Sequence, residues 1–284
     1  MNFYNETEVR ALLARHGFRF SKSMGQNFLI DPAVPRRMAE ASGAGPGVGV
    51  LEIGPGIGPL TAELSARADR VTAVELDRSL LPVLDETLAG CANVEILSGD
   101  VLRLDLSALA AEKFAGLTPV VCANLPYNIT TPVLTLLAHT PCFGRITVLV
   151  QREVAHRICA APGDPDCSAF SLLMQYELEP EILFDVPPAC FLPAPKVTSS
   201  VLRCTRRQRP AVAVADEALF FRCLRGAFAL RRKTLVNSLS SVGFDREAVR
   251  RAMEQCGFPP DVRGERLGLA DFARLSDTLL NSQP

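Results

Sequence analysis

The chain has 284 residues, of which 48% are hydrophobic and 21% charged, and a formal net charge of −1. That balance suits a globular protein with its own core and excludes a disordered or collagen-like chain, while the length suits one large domain plus a small one. No segment approaches the ~20 consecutive apolar residues of a membrane span, and Met1–Glu6 has no signal-peptide apolar run, so the expected location is the cytoplasm with no membrane partner.

Nine cysteines are scattered without a single C-x-x-C pair. Zinc spacing is therefore missing, no metal site is expected, and small buried thiols in a reducing compartment are the reading. The charge is unevenly spread. Val48–Asp105 holds 4 Lys/Arg against 10 Asp/Glu, and Phe191–Lys233 holds 10 against 2. The first stretch suits a cationic or neutral small ligand and the second a polyanion, with a solvated basic face as the plainer alternative.

In chain order, Asn5 and Glu8 have the form of a capping box before a helix bearing Val9, Leu12 and Leu13, which Gly17 ends. A polar stretch, Lys22–Asn27, follows. Asp31-Pro32 then opens a helix that runs to about Ser42. Val48–Ile53 reads as a buried strand, followed by the glycine-rich Gly54-Pro55-Gly56-Ile57-Gly58 and a helix from Leu60. Strands at Arg70–Glu75, Val94–Leu97, Pro119–Ala123 and Ile146–Val150 alternate with helices at Leu80–Leu88, Leu106–Phe114, Pro132–Ala138 and Glu153–Ala160. This alternation predicts a parallel sheet covered on both faces.

Past Ser168–Glu177, a further helix, the pattern changes. Ile182–Val186 and Ser199–Arg203 read as strands joined by a Pro-rich loop too short for a crossover helix, so they should pair antiparallel. After Arg209-Pro210 the pattern is helical: Asp216–Ala229, Lys233–Ser240, Arg246–Cys256 and Leu269–Leu280. The expected division is 1–207 and 208–284, an α/β domain followed by a small all-α one.

Three motifs carry chemistry. Glycines at 54, 56 and 58 allow a tight turn and close ligand approach at the carboxyl end of the first strand of the alternation. Glu75 ends the next strand, 21 residues after Gly54, where an acid accepts the two hydroxyls of a ribose. Asp100 follows the third strand, placed to receive an adenine amine. Up to this point a nicotinamide-dinucleotide oxidoreductase fits as well.

Asn124-Leu125-Pro126-Tyr127 follows the fourth strand and points to methyl transfer onto an amine. The nitrogen of an adenine amine is a poor nucleophile because its lone pair is delocalised into the ring. Two acceptors, the Asn124 side-chain oxygen and the Leu125 carbonyl, favour the pyramidal nitrogen of the transition state, with Pro126 stiffening the backbone and Tyr127 stacking on the base. Phe191-Leu192-Pro193-Ala194-Pro195-Lys196-Val197 is expected to hold Phe191 exposed as a second π face, with Lys196 at a phosphate. A Phe191 packed into the core is the alternative.

Together, Gly25–Leu29, Glu52–Gly56, Val74–Asp77, Asn124–Ile129 and Phe191–Val197 resemble the ribosomal RNA adenine dimethylase family over about Arg15–Ser240. The resemblance implies a Rossmann-like class I methyltransferase sheet, mostly parallel with an antiparallel final strand. It implies S-adenosylmethionine as donor and S-adenosylhomocysteine as product. Cofactor contacts map onto Asn27, Leu29, Gly54, Gly56, Glu75, Asp100 and Asn124, of which Asn27 and Leu29 rest on the resemblance alone.

The implied substrate is a pair of adjacent adenosines near the 3′ end of small-subunit (16S) rRNA, dimethylated at N6 by a monomer acting on a 30S precursor. Arg231-Arg232-Lys233 would grip the RNA, although Ala229-Leu230 stand where more polar residues are expected. A large-subunit rRNA methyltransferase that confers antibiotic resistance remains the alternative substrate class. A non-catalytic assembly or transcription factor on the same fold is the other.

Overall fold

The computed structural model describes residues 2–20 and 25–281. Lys22, Ser23 and Met24 of the polar stretch lie outside them. Among the described residues nine strands form: β1 (Phe28–Leu29), β2 (Val48–Ile53), β3 (Arg70–Glu75), β4 (Val94–Ser98), β5 (Thr118–Asn124), β6 (Arg145–Gln151), β7 (Leu178–Val186), β8 (Phe191–Leu192) and β9 (Ser199–Arg206). Twelve α-helices accompany them among the described residues: α1 (Glu6–Arg15), α2 (Ala33–Ser42), α3 (Pro59–Ser65), α4 (Leu81–Thr87), α5 (Leu106–Lys113), α6 (Thr130–Ala138), α7 (Arg152–Cys159), α8 (Ala169–Glu177), α9 (Glu217–Ala227), α10 (Leu235–Ser241), α11 (Arg246–Gln255) and α12 (Leu269–Asn281).

Seven strands make one sheet in the order β4-β3-β2-β5-β6-β9-β7. The β2–β3, β2–β5, β3–β4 and β5–β6 pairs are parallel, as expected of strands joined by helices. β9 runs antiparallel to β6. Its neighbour β7 meets it through Ser200–Asp185 and Arg203–Glu181. Numbers rise on one strand as they fall on the other, which is the antiparallel pairing expected of a short connection.

This is a Rossmann-like, mostly parallel sheet with an antiparallel end. The sequence reading did not anticipate β1 and β8. They pair with each other, Leu29 opposite Phe191 and Phe28 opposite Leu192, and two-residue strands carry too little periodicity to be recognised.

Local signals explain the helix ends. The Asn5 side chain accepts from the Thr7 and Glu8 amides and caps α1. Glu8 turns to the Asn2 amide instead, so the expected reciprocal box does not close. Asp31 accepts from the Ala33 amide at 2.9 Å and so caps α2 from one residue further back. Gly43, at φ +81°, ends that helix in the left-handed conformation.

The chain forms two compact units, 1–155 with 181–206 and 156–180 with 207–284. The expected single cut at 207 therefore differs from the observed division. Arg207 does begin the second stretch of the helical unit, but that unit also takes in α8. Leu172 and Tyr176 of α8 share a buried cluster with Phe220, Phe221 and Leu224 of α9, the Tyr176 ring centroid lying 5.1 Å and 5.0 Å from the two phenylalanines. A helix's apolar stripe shows that it packs, not which core it joins.

Of the free cysteines, 122, 167, 190, 204 and 223 are buried, while Cys142 is exposed. No helix among the described residues is long and apolar enough to cross a membrane.

Gly49 on β2 shows how tightly the sheet meets its covering helices. A Cβ there would lie 2.3 Å from Phe114 Cδ1 and 2.6 Å from Cγ, the body of a buried ring. Gly49→Ala is therefore expected to destabilise the protein by about 1–3 kcal/mol, the usual cost of overpacking, read as a lower denaturant midpoint. An unchanged midpoint would show that Phe114 yields freely.

Candidate active site

The carboxyl ends of β2, β3 and β5 and the loop after β4 open on one cleft. Gly54, Gly56, Glu75, Asp100, Asn124, Leu125, Pro126, Tyr127, Asn27 and Leu29 all line it. The glycine turn is the floor. Gly54, Gly56 and Gly58 have φ of +70°, +63° and +96°, a region that side-chain-bearing residues avoid. A Cβ on Gly56 would reach 3.0 Å from the Phe28 ring, and one on Gly54 would lie 3.6 Å from Pro126.

Two acids lie behind that turn. Glu75 is 5% exposed. It accepts from the Asp77 amide at 2.8 Å and, at a long 3.4 Å, from Gly56. Burial pushes its carboxyl up to about 7 against these hydrogen bonds. Glu52, on β2, is 1% exposed, and its Oε2 has no hydrogen-bond partner. Burial drives it to about 8, with Thr61 pulling it down and the charge of Glu75 adding to the rise.

Sequence reasoning passed over Glu52 as part of a buried strand. The available signal was a carboxylate within the otherwise apolar Val48–Ile53. It also passed over Gln26, which donates to Asp77 at 2.7 Å. Burial works to raise the Asp77 carboxyl, but hydrogen bonds from Ser79 and Gln26 outweigh it and leave it below the ordinary value. Gln26 and Asp77 thereby tie the segment before β1 to the loop after β3.

The Asn124 side chain donates from Nδ2 to the Asn27 carbonyl at 3.0 Å. A carbonyl can only accept, so this bond sets which end of the amide is which and makes Oδ1 the acceptor end. Asn27 in turn donates to the Gly25 carbonyl. The Leu125 amide is used on Leu149 at 3.1 Å and its side chain is buried. Pro126 accepts from the Ile129 amide and the Thr130 hydroxyl, which locks the turn before α6. The Tyr127 hydroxyl lies 2.7 Å from Ser199 Oγ, and burial raises its pKa. The Asp100 carboxylate accepts from the Leu102 amide at 3.0 Å.

Phe191 departs from expectation. It is 2% exposed and sits in a core cluster with Leu29, Met38 and Val201, so the two-sided clamp with Tyr127 is not assembled. The prolines stiffen the loop, but its pairing with β1 turns the ring inward. Phe191 instead holds Leu29, a lining residue, in place. Lys196, Arg231, Arg232 and Lys233 are all exposed, and Arg231 also donates to the Pro165 carbonyl at 2.7 Å. Among the described residues no group of three or more His, Cys, Asp or Glu is placed to hold a metal.

Sheet, glycine turn, acid-ended β3 and the Asn-Leu-Pro-Tyr turn define a class I methyltransferase. The profile described as ribosomal RNA adenine dimethylase matches residues 17–278, and the chain belongs to that family. A protein named ribosomal RNA small subunit methyltransferase A from Geobacillus thermodenitrificans is 45% identical over 279 residues, covering 96% of this chain and 95% of the relative. Its namesake from Moorella thermoacetica is 46% identical over 275 residues, covering 95% and 96%. Among solved structures, the 23S rRNA methyltransferase ErmE is 28% identical with a TM-score of 0.69, covering 89% of this chain and 99% of that one. A dimethyladenosine transferase from Plasmodium falciparum, 23% identical with a TM-score of 0.71 and covering 87% of this chain and 95% of that one, shares the fold.

The buried acids generate a pH prediction. Both have folded pKa values above the ordinary 4.5. Their contribution to stability is complete below that value, declines as pH rises above it, and is gone once about 7 to 8 is passed. The ligand-free protein should therefore lose stability from pH 5 to pH 8, and Glu52→Gln should lose less. Parallel pH profiles for the two proteins in thermal melts would contradict this.

Proposed function

We infer that the protein transfers methyl groups from S-adenosylmethionine to N6 of two adjacent adenosines near the 3′ end of small-subunit (16S) rRNA, giving N6,N6-dimethyladenosine during maturation of the small ribosomal subunit. The observation that carries the chemistry is the fixed orientation of Asn124, whose Oδ1 is the acceptor end. The substrate reading is supported by relatives named small-subunit methyltransferases at 41–46% identity. The large-subunit reading has a more distant counterpart, at 28%. We place the reaction in the cytoplasm, on a 30S precursor, with the chain acting as a monomer.

The cleft fits the donor in shape and chemistry. Positive-φ glycines leave the turn bare where a Cβ would intrude, and acceptors flank it. Glu75 would accept the ribose hydroxyls, Asp100 the adenine amine of the cofactor, and Asn27, Leu29, Gly54 and Gly56 would close around the rest. When bound, the donor supplies an electrophilic methyl on a sulfonium.

Asn124 Oδ1 and the Leu125 carbonyl accept the two N–H bonds of the target amine and favour its pyramidal form, while Tyr127 offers one π face to the base. No general base is required before attack, because the N6 proton becomes acidic only as the methyl arrives. The helical unit, with Arg231, Arg232 and Lys233, binds rRNA through phosphates and shape, and Lys196 adds a phosphate contact.

Mass spectrometry of small-subunit rRNA from cells with and without the gene tests the function. Dimethyladenosine should disappear with the gene, and its persistence would refute the reading. Asn124→Ala should cut turnover roughly 100-fold or more, the scale of losing one transition-state hydrogen-bond partner, with donor binding retained. Near-normal turnover would remove the acceptor-pair account. Replacing Arg231, Arg232 and Lys233 by alanine should weaken duplex RNA binding and flatten its log–log salt slope by about 2 to 3. An unchanged slope would make the cluster a solvated face.

A further inference from the structure

In the helical unit, α10, α11 and the loop after α11 surround a groove of ≈ 480 Å³, large enough for a small organic ligand. Its character is mixed. Val236 and Met253 are buried apolar residues, and Phe258 and Pro260 come from the loop. Arg246 and Arg250 stand one helical turn apart on α11, so they share a face and mark one rim. Both are exposed. Arg250 pairs with Glu247 at 2.6 Å, but both side chains are about half exposed, and such a pair is weak enough for a phosphate to displace. Glu254 also lines the groove.

We propose that this groove takes one unpaired RNA nucleotide, its base against Phe258, Met253 and Val236 and its phosphate on Arg246 and Arg250. The occupant being RNA rests on the rRNA reading above. Charge supports it: Arg222–Arg251 holds 8 Lys/Arg against 2 Asp/Glu, and the Arg231–Lys233 turn leads directly into Thr234 at the edge of the groove. The apolar walls suit a flat base, because every base has a face to stack. Glu254 suits a base amine or a 2′-hydroxyl, both of which donate, and opposes an acidic peptide. The groove would thus reward single-stranded RNA next to a paired region that the basic turn grips.

The test uses full-length protein and a labelled poly(uridine) strand, with fluorescence anisotropy across a salt series. Arg246→Ala/Arg250→Ala should bind roughly tenfold more weakly, with a salt slope shallower by about 0.7, one phosphate contact on a single strand. Phe258→Leu should lose affinity roughly fivefold or more, the low end of one base–aromatic stack, with its slope unchanged. Unchanged helical circular dichroism and thermal melting show that each variant is folded.

Wild-type affinity and slope in the double variant would overturn the proposal. So would displacement of poly(uridine) by polyglutamate from the wild type but not from the double variant. Methylation of small-subunit particles by the wild type separates the two readings. Its failure alongside the expected variant losses removes the proposed substrate and leaves the groove, and its success with unaffected variants removes the groove alone.

Discussion

The site depends on β2 pairing in parallel with a neighbour on each side. Parallel strands bring their carboxyl ends to one edge, and three backbone hydrogen bonds carry the order one residue beyond the strands. Gly54 donates to Val74, Gly99 to Glu75 and Leu125 to Leu149. The exits of β2, β4 and β5 are each held by the adjacent strand rather than left as free loops. Gly54, Asp100 and Asn124 therefore stand at set positions around one cleft although 46 and 24 residues separate them in the chain. Asn124 is then oriented by the Asn27 carbonyl, so the edge and the segment before α2 act together.

The electrostatics follow from the same geometry. Burial raises the pKa of both Glu52 and Glu75, and because β2 and β3 lie side by side the charge of Glu75 adds to the rise at Glu52. A buried carboxyl without a cation favours its neutral form. The donor proposed here carries a positive sulfonium, so its arrival would favour ionisation of the pair, whereas the neutral product would not. The acidic character of Val48–Asp105, visible as a bare charge count, becomes in three dimensions a cleft matched to a cation.

Phe191 and α8 show where one-dimensional patterns stop. The Pro-rich loop suggested an exposed ring, because prolines stiffen a loop and remove its amide donors. The outcome was decided by a partner 162 residues earlier, Leu29, with which Phe191 pairs. The helix α8 was legible as a helix, but its core was not. It sits in sequence among the elements of the sheet and packs with α9, because Tyr176 meets Phe220 and Phe221. Gln26–Asp77 was hidden for the same reason, since the two residues are 51 apart.

By itself the sequence determined the alternation of strands and helices, the parallel sheet with its antiparallel end, the left-handed glycine turn and the residues at its edge. Each is set by a local rule: apolar runs of strand length, a φ that only glycine tolerates, a connection too short for a crossover. Tertiary structure alone decided the amide orientation of Asn124, the coupled burial of Glu52 and Glu75, the inward turn of Phe191, the allegiance of α8 and the groove beside α11. These depend on which distant residue supplies the facing atom or the missing water, and no spacing along the chain contains that.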